Sequence, residues 1–254
     1  MIYRHLNVVS SLLGESNRKL QSAIEQVVIL DTQMTDLRRV MDAAPHTYNN
    51  LLQESISLSS ELGNRVQDVN SALVEFARQG YDPSTLLNLT ETATIASNIS
   101  ELETTEAMSS LTASMSAFNI EASDSISIID KLNEVDNNFA IDTKTLSDAI
   151  ERSAAASNTF GVEIDELIGH ISAIGITTRE SGSVIGNSLK SIYSRITTMQ
   201  PAIDALAGIG INVRNSAGEM RPVSDILAQL AGQWNTLSAE QQQNMGNIKT
   251  CPSY

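Results

Sequence analysis

The sequence predicts a mainly α, elongated helical protein with an N-terminal coiled coil, duplicated helical hairpins and one small β-hairpin. Three observations carry that expectation. Apolar residues recur every seven positions near the start, a 60-residue self-similarity runs through the middle, and 5 prolines with 13 glycines in 254 residues leave long uninterrupted spans. Hydrophobic residues make up 41% of the chain but aromatics only 4%, a composition suited to thin helical layers built from Ala, Ser, Thr, Ile and Leu.

In the first element Leu6, Leu13, Leu20, Val27, Met34 and Met41 fall seven apart, and Val9, Ala23, Leu30, Leu37 and Ala44 fill most positions three later. Such an a/d stripe must be buried against another helix, as in a coiled coil or a long helical hairpin. Ser16 interrupts it at one d position, and Pro45 ends or kinks the helix because it lacks the N–H that the preceding turn needs. A second helix is expected from Pro45 to Gln79, on the spacing of Leu62, Val66, Val69, Leu73 and Phe76. Gly80 then caps it, Asp82 opens the next helix and Pro83 takes its first position, so the border falls at residue 81. Three regions follow: 1–80 coiled-coil or long helical, 81–200 helical core, and 201–254 with the β-hairpin and terminal helices.

Residues 82–113 align with 142–173 at ten of 32 positions, including Asp82/Asp142, Leu86/Leu146, Ser97/Ser157, Glu103/Glu163 and Glu106/Glu166. Each copy reads as an Asp-capped Ala-rich helix, a break near Asn98 or Asn158, and a second helix. The segment "SDSISIIDKLNEVDNNF" links them as a further amphipathic helix. After Ile196, "GIGINVRNSAGEMRPV" alternates and holds a turn signal at Asn215 to Gly218, which predicts a β-hairpin with Pro222 on its edge. Ser224 is expected to cap a helix through Trp234, and "SAEQ" at 238–241 reads as a capping box.

The net charge is −14 and is placed unevenly. Residues 1–81 carry nine acids and seven bases, 82–173 sixteen and three, and 174–254 five and six. There is no basic stripe to neutralise phosphates, which argues against sequence-specific nucleic-acid binding. The acidic block reads as a solvated helical surface. No run approaches the ~18 apolar residues of a membrane span, the start lacks the pattern of a signal peptide, and the single Cys251 forms no internal disulfide.

Candidate chemistry is sparse. In "TTRESGSVIGNSLKSIYSR", only three residues separate Gly182 from Gly186 and Asn187 follows, whereas a phosphate loop needs four between its glycines and then a lysine. Val184, Ile185, Leu189, Ile192 and Ile196 instead follow helical spacing, so the glycines are expected to let helices approach closely. His5, His46 and His170 are isolated from one another and form no metal-ligand pattern. Glu163, Asp165 and Glu166 read as acids at the positive end of a helix. Trp234 is expected to anchor the last helices to the core. No catalytic, cofactor-binding or metal-ligating residue is assigned, and no enzyme activity is expected.

Residues 131–199 resemble the core of phage tail tape measure proteins, also called tail length or minor tail proteins. The resemblance rests on Leu146 with Ala149, "GVEIDEL" at Gly161 to Leu167, "AIG" at Ala173 to Gly175, and "SGSVIGNSLK" at Ser181 to Lys190. It extends over about residues 32 to 246, through "ALVEFARQGYDPSTLLNL" and "GINVRNSAGEMRPVSDILAQLAGQW". It implies a structural virion protein that lies in the tail lumen after synthesis in the host cytoplasm. Its implied roles are setting tail length, assembling the tail tube and taking part in DNA ejection. The implied partners are tail tube and tail tip proteins, tail assembly chaperones and other copies of itself. Family members continue past "NMGNI", while "KTCPSY" matches no family pattern, so a C-terminally truncated product is expected. The alternative from composition is an exported, self-assembling filament protein of flagellin type, although the N-terminal heptads lack a C-terminal counterpart. A lytic or membrane-active enzyme lacks both motif and span.

Overall fold

The computed structural model describes residues 2–100 and 102–247, with side chains described from residue 19 to residue 246. Among them are twelve α-helices. The chain divides into two compact units between Ile95 and Ala96.

In the first unit, α1 (Ile2–Val40) is a single 39-residue helix. It stops ahead of Pro45, which takes the first turn of α2 (Pro45–Leu62). The Tyr48 hydroxyl ties the connection, donating to the Met41 carbonyl at 2.5 Å and accepting from the Ala43 N–H at 3.0 Å. The single helix expected over 45–79 is divided in two, α2 and α3 (Val66–Arg78). Gly63 adopts φ 74°, a left-handed conformation that glycine reaches without a Cβ penalty, and its N–H closes on the Ser59 carbonyl. Helical spacing continues across this break, which hid it from the sequence pattern. The C-terminal end of α1 packs on α3. Met34 and Leu37 are buried there, and Gln33 donates to the Gln67 carbonyl and the Ser71 hydroxyl at 2.9 and 2.7 Å.

Helix α4 (Pro83–Ile99) opens as predicted. Asp82 accepts from the backbone N–H of Ser84 and Thr85 and from both their hydroxyls, and these bonds hold its carboxyl well below the usual carboxylate range. Asp142 repeats the arrangement before α7 (Thr143–Thr159), accepting from the Thr145 N–H at 2.7 Å. The following helices, α5 (Thr104–Phe118) and α8 (Ile164–Thr178), both begin with a reciprocal capping box, Glu103 with Glu106 and Glu163 with Glu166. Every bound of α4 and α5 shifted by 60 gives the bound of α7 and α8. The equivalence continues beyond the hairpin. Asn119 and Arg179, also 60 apart, both end their helices at positive φ, 53° and 58°. A 3-10 turn at Ala122–Asp124 with α6 (Ser125–Asn138) then matches α9 (Gly182–Thr198). The repeating element is therefore three helices, one more than the sequence identities disclosed.

Within the second unit α7 is central, packed by α5, α6, α8 and α9. Its contact with α9 is the tightest. A Cβ on Gly182 would lie 2.3 Å from the Thr145 carbonyl oxygen, and one on Gly186 would lie 2.5 Å from that of Ala149. Gly182 and Gly186 thus serve close helix approach.

The predicted β-hairpin is absent. After α10 (Gln200–Ala207) a loop makes one isolated antiparallel bridge, Arg214 to Met220, and no strand is present among the described residues. Asn215 and Arg221 donate to the Glu219 and Val213 carbonyls, but the Asn215 side-chain oxygen takes the Glu219 N–H and the Val223 N–H goes to the Phe160 carbonyl, so the ladder does not extend. Ile211 and Val213 from this loop still enter a core cluster with Ile196, Leu206 and Ile226. Helix α11 (Val223–Gln233) follows Pro222, and Ser224 does not cap it. The Ser224 hydroxyl donates instead to the Gly161 carbonyl at 2.8 Å, tying α11 to the α7–α8 corner. Ser238 and Gln241 do form the expected capping box before α12 (Ala239–Asn247).

Adding one methyl group at Gly182 or Gly186 forces α9 away from α7. Gly182→Ala and Gly186→Ala are expected to destabilise the fold by about 1–3 kcal/mol each. Gly169→Ala, on an open face of α8 with nothing within 4 Å, should instead gain about 0.5–1 kcal/mol from helix propensity. Urea unfolding followed by circular dichroism distinguishes the two responses.

Candidate assembly surfaces

Helix α9 has two working faces. On the inner one Leu189 and Tyr193 are buried, and the Tyr193 hydroxyl lies 2.8 Å from Nδ1 of His170 on α8. Burial pushes the His170 pKa below its ordinary value of 6.5, against the opposing charge of Glu166, and burial also raises Tyr193 well above 10. The pair is held neutral and fastens α8 to α9.

The outer face of α9 floors a groove of about 680 Å³. Ile192 lies along it, Leu227 and Leu230 of α11 form one wall, and Met245 of α12 contributes at the far end. Arg195 supplies a positive charge and Asn187 and Ser191 a polar margin. Trp234, expected to be an anchor within the core, is 38% exposed and lines this groove. The displacement has a local cause. Helix α11 ends at Gln233, a 3-10 turn over Trp234–Thr236 reverses the chain into α12, and Gln242 of α12 donates to the Trp234 carbonyl at 2.8 Å. The indole therefore sits at a corner, with one side toward solvent.

The first unit carries a second apolar surface. Of the heptad residues, Met34 and Leu37 are covered, but Leu20 and Val27 are exposed, together with Ile24 between them and Val28 just beyond. Their exposures of 55–65% are those of a stripe that no other helix of the first unit covers among the described residues. Leu6, Val9, Leu13 and Ser16 belong to α1, and their side chains lie outside the described residues.

The candidate chemical residues are placed elsewhere and apart. His46 is exposed on α2, while the side chain of His5 and all of Cys251 lie outside the described residues. Glu163 and Glu166 are occupied in capping, and Asp165 pairs with Lys131 of α6. Among the described residues no group of His, Cys, Asp and Glu could hold a metal ion, and no helix is long and apolar enough to cross a membrane. The groove and the bare stripe were missed by sequence reasoning. Their only advance signals were the heptad spacing and the polar flank of Asn187, Ser191 and Arg195 on an otherwise apolar helix.

The sequence pattern of the phage-related minor tail proteins matches residues 52–248. A probable tape measure protein of Escherichia phage P2 is 26% identical over 196 residues, which are 76% of this chain and 24% of that protein. The chain thus spans about a quarter of the length of this relative. No solved structure matches.

The neutral His170–Tyr193 pair gives unit two a pH dependence. Because the folded value of His170 lies below 6.5, the unfolded chain takes the proton more readily. Its contribution is complete above that pH and is lost as pH falls through 6.5 towards the folded value. Urea midpoints should drop between about pH 7.5 and about pH 5.5, and the drop should be smaller in His170→Gln.

Proposed function

The chain belongs to the phage-related minor tail protein family, and on that premise we propose that it acts as a tape measure segment, setting tail length during assembly of the tail tube and leaving the lumen during DNA ejection. The observation that carries this reading is the alignment of 76% of the chain with a probable tape measure protein. As a phage tail protein it is a virion component. The finer location that goes with the proposed role is the tail lumen. Tail tube proteins, tail tip proteins, tail assembly chaperones and other copies of this chain are the proposed partners. Helix surfaces carry these contacts, without catalysis: the bare stripe of α1 and the groove beside α9 are both apolar, and apolar surface left uncovered marks places of association.

The filament alternative is not favoured, because the match over residues 52–248 is to phage tail proteins. A ruler works through helical rise. The 39 residues of α1 correspond to about 58 Å at 1.5 Å per residue. Duplicating Ile2–Val40 in the phage genome should lengthen tails by about that amount, measured on negatively stained particles. Tails of unchanged length would remove the ruler role and leave the family assignment standing.

A further inference from the structure

Two apolar surfaces are left uncovered, one in each unit, and their shapes and charges correspond. On α1, Leu20, Ile24 and Val27 fall at i, i+4 and i+7, the spacing with which a helix seats its anchors in a groove. Asp31 continues the same line at i+11 and is exposed, and Glu25 is exposed on the flank. The stripe therefore ends in negative charge. The groove beside α9 has the complementary features. Its volume of about 680 Å³ is apolar in its floor and walls, no acidic side chain lines it, and Arg195 lies in it with Lys190 in the adjoining recess. A helix carrying three aliphatic anchors and a carboxylate one turn beyond fills the one and meets the other.

We propose that the Leu20–Asp31 stripe of one copy docks into the α9–α11–α12 groove of a second copy. The proposal rests on the reading that the chain associates with itself through its helices, and specifies which surfaces meet. Because stripe and groove are different surfaces, the contact is heterologous. Each copy that receives an α1 still offers its own, so association continues in series unless a ring closes. Leu20, Ile24 and Val27 leave water on docking, and Asp31 comes within reach of Arg195 and Lys190.

Trp234 is the sole tryptophan and lines the groove, so its emission reports occupancy directly. The test is light-scattering mass and tryptophan emission of the full chain across about a thousandfold dilution. The expected result is a mass that rises with concentration and a blue shift of emission that follows it. Ile24→Asp, at a position already 55% exposed, should abolish both while helix content by circular dichroism is unchanged. Arg195→Glu should weaken association about tenfold, and mixing it with Asp31→Arg should restore it. Mass that rises while emission stays constant would overturn the docking but leave self-association intact, since α1 would then pair elsewhere. Constant mass and constant emission at all concentrations would overturn both. A blue-shifted emission that is independent of concentration but lost in Ile24→Asp would place α1 in the groove of its own chain, and would also overturn the proposal.

Discussion

The second unit depends on the approach of α9 to α7. Two glycines one turn apart remove the side chains that would otherwise strike the Thr145 and Ala149 carbonyls, and backbones come together where most helix pairs keep side chains between them. That contact fixes the rotation of α9. With Gly182 and Gly186 inward, Tyr193 falls on the buried side within reach of His170, while Ile192 and Arg195 fall on the side that floors the groove. In the first copy of the repeat the equivalent positions are Ala122 and Ile126, and Ile126 is 37% exposed. A side chain of that size excludes the same approach. The duplication is thus regular in its helix bounds and unequal in its third helix, and the groove forms beside the copy that has the glycines.

What the sequence disclosed follows from the range of the interactions involved. Helix starts are local. Asp82, Asp142 and the Glu103 and Glu163 boxes bind N–H groups two or three residues away, so a short window contains the whole cause. The break at Gly63 is also local, but the apolar period of Leu62, Val66 and Val69 runs straight across it, and periodicity outweighed a single glycine. The hairpin signal failed for a different reason. Alternation and a turn were present, yet the Asn215 side chain takes the Glu219 N–H and the Phe160 carbonyl takes that of Val223, the two donors that a longer ladder would use. For the heptads of α1, spacing specified that a face needs cover without specifying the cover, and only the Met34–Leu37 end finds it in α3. Trp234 depended on where α11 stops, which residue type alone does not determine.

The acidity of residues 82–173 has a structural explanation that overall charge concealed. Many short helices need many N-termini satisfied. Asp82, Asp142, Glu103, Glu106, Glu163 and Glu166 all serve at helix starts, where carboxylates accept N–H bonds and face the positive end of the helix dipole. Asp136 accepts from the N–H and hydroxyl of Thr143. Of the three bases in the block, Lys131 reaches across to Asp165 and Lys144 to Glu106, each joining two helices. The Lys144 contact holds the Glu106 carboxyl below its ordinary range. The negative excess is thus partly a by-product of capping, while Glu91, Glu121, Asp130, Glu134 and Glu151 are exposed to water.

The contrast between a long helix and a packed repeat bears on the proposed ruler role. Helical rise converts residues to distance only where a helix runs on without folding back. Helices α7, α8 and α9 pack against one another, so their residues do not add along one axis. Helix α1 does run on, and over Leu20–Val28 it does so without cover. In the proposed role, residues in α1 and residues in the repeat would therefore contribute unequally: the former extension, the latter a folded body. If the proposed ruler role holds, tail length would scale with the uncovered helix and not with the residue count of the whole chain.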